Sequence, residues 1–530
     1  MFHRVVLAVI VLATVVPAPV ATAIDPPPAT TASDSDARIL SALPDPTTPD
    51  DRGEFVVVRA SEGTTLVLDD GEQQVSFVAP GGPIAVTSNP AATATLTDYP
   101  TVAPGLALAN GGETVTLSVD GRVVDRLVYD RSREGERLER RDGPTGAWEW
   151  WPRTLPRRNV TTHGPAESTL FVLPDSPTVP VETLRGADGR ILLAGYVVSS
   201  PRIADELVAA HERGVRVRVL VDDAPVGGFP RTSARVLDRL AMAGITVRVV
   251  GDPYSFHHAK YAVVDDEALV TTENWKPSGT GGRKSRGWGV VVHSPAVATD
   301  LATTFANDSN LPATQSWETY RTGRQFVVTD VANGSYPAHV VPTTIDVDRI
   351  SVIHAPDNAE QAVVTRLDGA DRRIDVIQPS VEADGPFVVA LKRAAKRGVR
   401  VRLLLGSAWY VDDENRELAD RLNRWADRTG HPLSVRLARP AGRYGAVHAK
   451  GVVADDTVIV GSLNWNRHSA RENREVAVVL SDPAAATYYR DVFETDWTAS
   501  RRGARPTLVG AAAVAILVAL AALRRVEFEE

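Results

Sequence analysis

The pattern of apolar and polar positions changes character near residue 165. From about residue 37 to 130, short β-rich runs such as EFVVVRA, TTLVLDDG and RVVDRLVYD are separated by turn residues, and helical periodicity is missing. This pattern predicts a small antiparallel β-sandwich over residues 37–150. The stretch before it, residues 24–36, is rich in Pro, Thr and Asp and predicts an extended linker.

Beyond residue 165, strand patterns alternate with helix patterns. RILLAGYVVSS and VRVRVLVDD are strand runs, and PRIADELVAAHERG between them has Pro201 at a first helical turn and Gly214 after its end. The order then recurs, and ERGVRVRVL at Glu212 is nearly copied by KRGVRVRLL at Lys396. One β-α-β unit has therefore been duplicated, and the alternation predicts a mostly parallel α/β sheet covered by helices on both faces.

Both ends of the chain carry apolar runs. Residues 1–23 combine an early Arg4, an apolar stretch and a final Ala-Thr-Ala, which is typical of a secretory signal peptide; an uncleaved anchor is the alternative. Residues 507–523 lack charge and span ~25 Å as a helix, which predicts a C-terminal transmembrane helix rather than a buried helix of a soluble domain. Together the ends predict a single-pass cell-membrane protein whose catalytic domains are extracellular.

Composition narrows the chemistry more than the fold. A net charge of -8 over 530 residues gives no sign of a general nucleic-acid-binding surface. The chain has no cysteine, which excludes disulfides and thiolate chemistry. Only six of its 58 basic residues are lysines, so each lysine that recurs at a matched position is informative.

A polar motif recurs along with the fold. HHAKYAVVDDEALVTTENW begins at His257, and VHAKGVVADDTVIVGSLNW begins at Val447. Each copy has His, then Lys two residues later, then Asp, and then an Asn-Trp pair sixteen residues after the His; the polar residues are His258, Lys260, Asp265 and Asn274, then His448, Lys450, Asp455 and Asn464. About 0.01 chance matches are expected in such a chain. The repeat therefore predicts one chemical unit used twice.

Two His, two Lys and two Asn suit a phosphodiester. Lysine and amide donors can hold non-bridging oxygens and stabilise the transition state. One imidazole can attack phosphorus while the other protonates the leaving oxygen and then activates water or an alcohol. This chemistry implies no metal and no cofactor, and the sequence shows no HExxH and no cysteine cluster.

The paired HxKxxxxD motifs resemble the phospholipase D superfamily, in which each duplicated half gives one motif to a shared site. The resemblance implies mixed sheets flanked by helices, with half 1 at residues 165–310 and half 2 at residues 340–498. It implies a phosphohistidine intermediate, with His258 favoured as nucleophile. The residues that it implies in catalysis or phosphate contact are His258, Lys260, Asn274, His448, Lys450 and Asn464, whereas Asp265 and Asp455 are implied to be structural.

Two further positions follow from the same resemblance. The Gly-Ser before the second Asn stands as Gly461-Ser462, and Thr271-Thr272 replaces it in half 1, so Ser462 and Thr272 are expected to contact phosphate. The acid that orients a histidine matches Glu475 in half 2. Half 1 has Gly287 where that acid would fall, so its orienting acid is missing from the pattern.

The N-terminal part, residues 37–150, resembles the lamin-tail-like immunoglobulin fold and implies an accessory module. The whole chain is then expected to be a membrane-anchored extracellular phosphodiesterase. A phospholipid is the favoured substrate; an extracellular nuclease is the alternative, and a non-catalytic surface binding protein is a third reading. The sequence leaves open hydrolysis or head-group transfer, and the oligomeric state.

Overall fold

The computed structural model describes residues 37–46, 48–140, 148–152 and 158–500. The chain divides into two compact units, Met1–Pro156 and Arg157–Glu530. The predicted signal peptide and linker, residues 1–36, and the predicted membrane segment, residues 507–523, lie outside the described residues.

The N-terminal unit consists almost entirely of strands. Its elements are β1 (Arg38–Leu43), β2 (Phe55–Ala60), β3 (Thr65–Asp69), β4 (Gln74–Val78), β5 (Gly82–Thr87), α1 (Pro90–Thr93), β6 (Thr101–Val102), β7 (Glu113–Val119), β8 (Arg122–Tyr129), β9 (Glu136–Arg140) and β10 (Trp148–Pro152). They form a six-stranded sheet in the order β10-β9-β1-β2-β5-β6 and a four-stranded sheet in the order β4-β3-β7-β8.

One apolar core is shared by these two sheets. Val56 and Val58 of β2 are buried with Leu66 of β3 and Leu117 of β7. The turn between β7 and β8 is the pair Asp120-Gly121, in which both residues have positive φ, as a tight hairpin requires. Two packed sheets are what the alternation of short strands predicts; the lamin-tail-like identity stays a prediction.

The C-terminal unit begins with a strand that pairs with the second half. Its first half contains β11 (Thr161–His163), β12 (Ala166–Leu173), α2 (Val179–Arg185), β13 (Arg190–Gly195), α3 (Pro201–Glu212), β14 (Arg216–Asp222), α4 (Arg231–Met242), β15 (Thr246–Val250), β16 (Lys260–Val264), β17 (Glu267–Thr271), β18 (Ser285–His293), α5 (Pro295–Ser309), β19 (Gln315–Ser316), α6 (Trp317–Arg321) and β20 (Thr343–Val347).

The second half repeats most of that order. It contains β21 (Arg349–Ala355), α7 (Ala359–Asp368), β22 (Arg373–Gln378), α8 (Pro386–Lys396), β23 (Arg400–Leu405), α9 (Asp412–Thr429), β24 (Leu433–Leu437), β25 (Ala446–Val447), β26 (Gly451–Ala454), β27 (Thr457–Gly461), α10 (Arg467–Arg471), β28 (Glu475–Ser481) and α11 (Pro483–Ala499).

The two halves share one sheet topology. The order β15-β14-β13-β16-β17-β18-β12 in the first half matches β24-β23-β22-β26-β27-β28-β21 in the second. Only β13, β14 and β15, and likewise β22, β23 and β24, run parallel; the other four strands of each set are antiparallel. The expectation of a mostly parallel sheet is therefore wrong, because each motif strand turns back through a short hairpin, β16 to β17 and β26 to β27, and the strands that follow also pair antiparallel. The mixed α/β architecture implied by the resemblance fits.

The helix predicted between the first two parallel strands forms as its end signals require. The side-chain oxygen of Ser200 accepts the backbone N–H of Ile203, and Pro201 begins α3. Its apolar residues pack on the sheet, where Ile203 and Leu207 are buried. The matching helix α8 begins with Pro386 and buries Leu391 in the same way.

The sheets of the two halves pack against each other through complementary side chains. Trp288 on β18 is fully buried and lies beside Tyr489 of α11, with ring centroids 4.7 Å apart. Opposite it stands Gly451 of β26, where a Cβ atom would lie 2.2 Å from Trp288 Cε3. The indole therefore requires a glycine at this position, and the interface between the halves is closely packed.

Two buried arginines join the halves by ion pairs. Arg474 donates to Asp357 at 2.7 Å and lies 3.2 Å from Asp308, a residue of the first half. Arg286 of the first half pairs in the same manner with Asp175 at 2.5 Å and with Asp496 of the second half at 2.9 Å. Each arginine is thus neutralised by one acid from its own half and one from the other, which fixes how the halves meet.

The fold class with a C-terminal transmembrane helix needs correction. Among the residues that the structure describes, no helix combines the length and the apolar character needed to cross a bilayer. The described fold is a duplicated mixed α/β unit preceded by a two-sheet β unit.

Candidate active site

Each motif histidine stands just before a strand of its own half and is held by the backbone of the other half. The backbone N–H of His258 donates to the carbonyl of Arg474 at 2.9 Å. The backbone N–H of His448 donates to the carbonyl of Arg286 at 3.0 Å. Because β25 also pairs in parallel with the start of β18, the two motifs are brought together across the interface between the halves.

The imidazole of His258 is bound by the carboxylate of Glu475 from the opposite half. Nδ1 of His258 lies 2.9 Å from Oε1 and 3.0 Å from Oε2 of Glu475. The same carboxylate accepts the hydroxyl of Ser469 at 2.5 Å and the side-chain amide of Asn473 at 3.2 Å. The predicted pairing of the downstream acid with a histidine is therefore present in the structure.

Burial and charge set the protonation states of this pair. Burial lowers the pKa of His258 to about 4, against the opposing effect of Glu475. Although burial opposes ionisation of Glu475, contact with His258 and the nearby Lys260 hold its pKa down at about 2. At neutral pH the imidazole is then neutral and the carboxylate charged, so Nδ1–H donates to Glu475 and Nε2 keeps its lone pair.

Both motif lysines are buried beside their histidines. Nζ of Lys260 donates to the carbonyl of His258 at 2.5 Å and lies 5.3 Å from the ring centroid of Tyr196. Nζ of Lys450 donates to the carbonyl of His448 at 2.7 Å and lies 3.4 Å from its Nδ1. Burial lowers the pKa of Lys260 well below its usual value and that of Lys450 to about 8. The charge of Lys450 also contributes to lowering the pKa of Lys260, so the two ammonium groups lie close enough to form one cationic centre.

A second carboxylate, absent from the sequence interpretation, faces His448. Oε2 of Glu273, in the first half, lies 3.2 Å from Nδ1 of His448. Glu273 is fully buried, and burial raises its pKa to about 7 against the effect of Lys450, Lys276 and Lys260. Each histidine therefore faces an acid contributed by the other half.

The motif asparagines differ in their surroundings. Asn274 is buried, and its Oδ1 has no hydrogen-bond partner among the described residues. Its side of the site borders a cavity of about 630 Å³ that Lys276, Lys284 and Tyr196 also line. Asn464 is half-buried, and its backbone N–H donates to the hydroxyl of Ser469 at 3.2 Å. Asn274 is thus the asparagine placed at the cavity wall.

The hydroxyls of Thr272 and Ser462 fasten strand ends. The backbone N–H of Trp288 donates to Thr272 Oγ1 at 3.0 Å, and that of Val476 donates to Ser462 Oγ at 3.0 Å. Both residues are fully buried. Each hydroxyl thus accepts a backbone N–H of the strand that follows it, β18 or β28, and the expected phosphate contact stays a prediction.

The motif aspartates stand in the turn after each motif strand, and their carboxylates bind the backbone at the start of β13 and of β22. The carboxylate of Asp265 accepts three backbone N–H groups, from residues 188 to 190, at 2.7–2.8 Å. Asp455 accepts the equivalent groups of residues 371 to 373. Despite some burial, these donors lower the pKa of both carboxyls. The structural role that the resemblance implies for both residues stays a prediction.

Some of the residues around the site carry weak sequence signals. Glu273 stands before Asn274 where the second half has Leu463, so a charge replaces an apolar residue at a matched position. Arg286 and Arg474 also stand at matched positions, directly before Gly287 and Glu475. Comparing the halves residue by residue reveals such exchanges, whereas motif spacing alone does not.

Within the described ranges, no group of three His, Asp or Glu side chains converges as ligands for an ion.

Both halves of the C-terminal unit are similar to known proteins. Residues 181–309 and 363–497 match the family described as "Cardiolipin synthase, PLD-like domain". A probable phospholipase D of Caenorhabditis elegans is 25% identical over 340 residues, which cover 56% of this chain and 59% of that protein. Cardiolipin synthase A of Pseudomonas aeruginosa is 29% identical over 180 residues, 32% of this chain and 35% of that enzyme.

Two further similarities are more limited. The mitochondrial cardiolipin hydrolase of Homo sapiens is 34% identical over 96 residues, 18% of this chain and 36% of that protein. Among solved structures, phosphatidylserine synthase of Haemophilus influenzae superposes with a TM-score of 0.48 at 15% identity, covering 63% of this chain and 86% of that one. The chain thus spans between about a third and three fifths of the length of these sequence relatives.

Proposed function

We propose that this chain, a phosphodiesterase of the phospholipase D superfamily, acts on phospholipid head groups through a phosphohistidine at His258. The observation that carries the proposal is the crosswise pairing of two histidines and two carboxylates from opposite halves. His258 is bound through Nδ1 to Glu475, and His448 faces Glu273 through Nδ1. Each ring therefore keeps Nε2 for chemistry on one phosphorus.

The reaction follows from these positions in two balanced steps. Nε2 of His258 attacks phosphorus and forms a P–N bond, while the P–O bond to the leaving alcohol breaks and His448 gives that oxygen a proton. Water or an alcohol then loses a proton to His448, and its oxygen attacks phosphorus and releases His258. Lys260 and Lys450 stabilise the charge on the non-bridging oxygens in both steps.

The proposed choice of a lipid rests on the surroundings of the site. Val226 lines the cavity and is 79% exposed, and its backbone N–H donates to the Tyr196 hydroxyl at 2.5 Å. Burial and then the nearby Glu273 raise the pKa of Tyr410, and the neighbouring Trp409 is 90% exposed. Apolar side chains exposed beside a cationic centre suit a substrate with an anionic diester and an apolar body. The names of the sequence relatives point the same way.

The experiment compares substrates on the purified full chain. Phospholipid vesicles with a labelled head group, and separately labelled single- and double-stranded DNA, are incubated with wild type, His258→Ala and His448→Ala. We expect the wild type to release the head group and each variant to release it more slowly by at least ~10². Added ethanol separates hydrolysis from transfer by the appearance of phosphatidylethanol. DNA degradation without lipid cleavage would overturn the lipid proposal and favour the nuclease.

A further inference from the structure

The first half lacks the acid that the second half uses, although the two positions are equivalent. Glu475 follows Arg474 and pairs in register with Ala355, and Gly287 follows Arg286 and pairs in register with Leu173. Both arginines make the same kind of buried double ion pair. Gly287 therefore occupies the position equivalent to Glu475, and its backbone pairs with the neighbouring strand in the same way.

The space left by this glycine is filled by Glu273 from the neighbouring strand end. A Cβ atom at Gly287 would lie 2.3 Å from Cγ and 2.7 Å from Oε1 of Glu273. In the second half the residue equivalent to Glu273 is Leu463, which is buried in an apolar core. The first half thus has its acid at position 273 and a glycine at position 287, whereas the second half has Leu463 and Glu475 at the equivalent positions. The glycine leaves the space that the side chain of Glu273 fills.

The carboxylate of Glu273 has a partner in the other half and little else. It lies 3.2 Å from Nδ1 of His448, and no described donor makes an aligned hydrogen bond to either of its oxygens. Lys260, Lys276 and Lys450 surround it closely enough to lower its pKa. Burial opposes the ionisation of this carboxyl while the three lysines favour it, and a buried titratable group with such specific charged neighbours is typical of a functional site.

We propose that Glu273 is the positioning residue of His448, replacing across the sheet the acid that is absent at Gly287. The inference rests on the proposed function, in which His448 moves the proton. Glu273 holds the Nδ1–H of His448, so that Nε2 faces the leaving oxygen and then the incoming water. In the substrate complex the contact tightens from ion-pair distance to an aligned hydrogen bond, as is common for catalytic bonds.

The test compares four variants of the full chain on the vesicle substrate. Glu273→Gln keeps the shape and removes the charge, Glu273→Leu copies the second half, and Gly287→Ala pushes the carboxylate away. The double variant Glu273→Leu/Gly287→Glu moves the acid to the position that the second half uses. Glu267→Gln is the matched control, because Glu267 pairs with the partly exposed His293 at 2.7 Å outside the site.

We expect both Glu273 single variants to lower kcat by ~10² with KM changed less than about threefold, since orientation of a general acid acts on turnover. Gly287→Ala should lower kcat in the same direction, the double variant should recover at least tenfold over Glu273→Leu, and Glu267→Gln should match wild type. Burial and then Lys450, Lys276 and Lys260 already lower the pKa of His448, and we expect loss of the carboxylate 3.2 Å from its Nδ1 to lower that pKa further. The basic limb of the kcat profile should therefore move to lower pH.

The results separate failure of this inference from failure of the proposed function. If His258→Ala and His448→Ala abolish turnover but folded Glu273→Gln keeps the wild-type kcat and pH profile, Glu273 does not position His448. If the double variant folds, as judged by its melting curve, and recovers nothing over Glu273→Leu, transfer of the acid is overturned. Full activity in His448→Ala itself would instead refute the two-histidine mechanism.

Discussion

Replacement of Arg474 by Met should strongly destabilise the C-terminal unit, because it orphans two buried acids. The guanidinium is 3% exposed and bonds to Asp357 at 2.7 Å, to Asp308 at 3.2 Å and to the carbonyl of Ala355 at 3.1 Å. Removal of one partner from a buried ion pair costs about 3–5 kcal/mol. Met has a similar length, so the loss is mainly electrostatic.

The protonation of Asp308 gives an independent magnitude. Burial opposes its ionisation, yet Arg474 and then His257 hold its pKa at about 2 against a usual 3.8. Nearly two units correspond to about 2–3 kcal/mol. Because the folded pKa is lowered, this stability is present above pH ~3.8 and is lost as pH falls toward about 2. The difference between wild type and variant should therefore shrink at low pH.

Urea unfolding at pH 7 and again near pH 3 measures both effects. Arg474→Met should lose at least ~3 kcal/mol at pH 7, and Asp308→Asn in that background should recover part of the loss by removing the orphaned charge. Arg416→Met is the control, because Arg416 forms an exposed helix pair with Asp412 and should lose less than ~0.5 kcal/mol. A loss below ~1 kcal/mol in Arg474→Met, or none recovered in the double variant, would refute the reasoning.

Three further outcomes follow from the site. Glu475→Gln should lower kcat by ~10² or more, because His258 loses the anion that orients Nδ1–H; a steady-state assay with unchanged kcat would contradict this. Inorganic phosphate should bind with uptake of protons at pH 8, because an anion raises the lowered pKa values of Lys260 and Lys450; calorimetry in two buffers of different ionisation enthalpy measures it, and equal heats would count against it. Asp455→Asn should cost about 1–3 kcal/mol of stability by weakening its backbone contacts while changing kcat less than fivefold, measured by denaturation and kinetics; a large loss of kcat at full stability would contradict the structural role.

Much of the fold follows from local sequence signals. The helix α3 lies where Pro201 and Gly214 predict it, and the repeated strand runs around it form β13 and β14. The prediction of parallel strands is wrong for those near each motif, because periodicity identifies strands but does not show which of them pair antiparallel. The N-terminal unit contains two sheets, in the region where the short alternating strands predict a sandwich.

Motif spacing predicts only part of the candidate site. Spacing alone brings together His258, Lys260, His448 and Lys450, since a duplicated unit places equal residues at equal positions. Spacing does not show that the hydroxyls of Thr272 and Ser462 accept backbone N–H groups of the following strands, because such hydrogen bonds leave no pattern in the sequence. Spacing also does not reveal Glu273, because this carboxylate reaches His448 from a position at which the second half has Leu463.

Trapping of the covalent intermediate tests the central claim most directly. Wild type and His448→Ala are mixed with phospholipid carrying ³²P in its phosphodiester, quenched in alkali within the first turnover, digested and mapped. The account predicts an alkali-stable, acid-labile label on the peptide that contains His258, and a longer-lived label when the leaving group is activated and His448 is absent. Label on the His448 peptide, or turnover with no labelled histidine at any quench time, would contradict it.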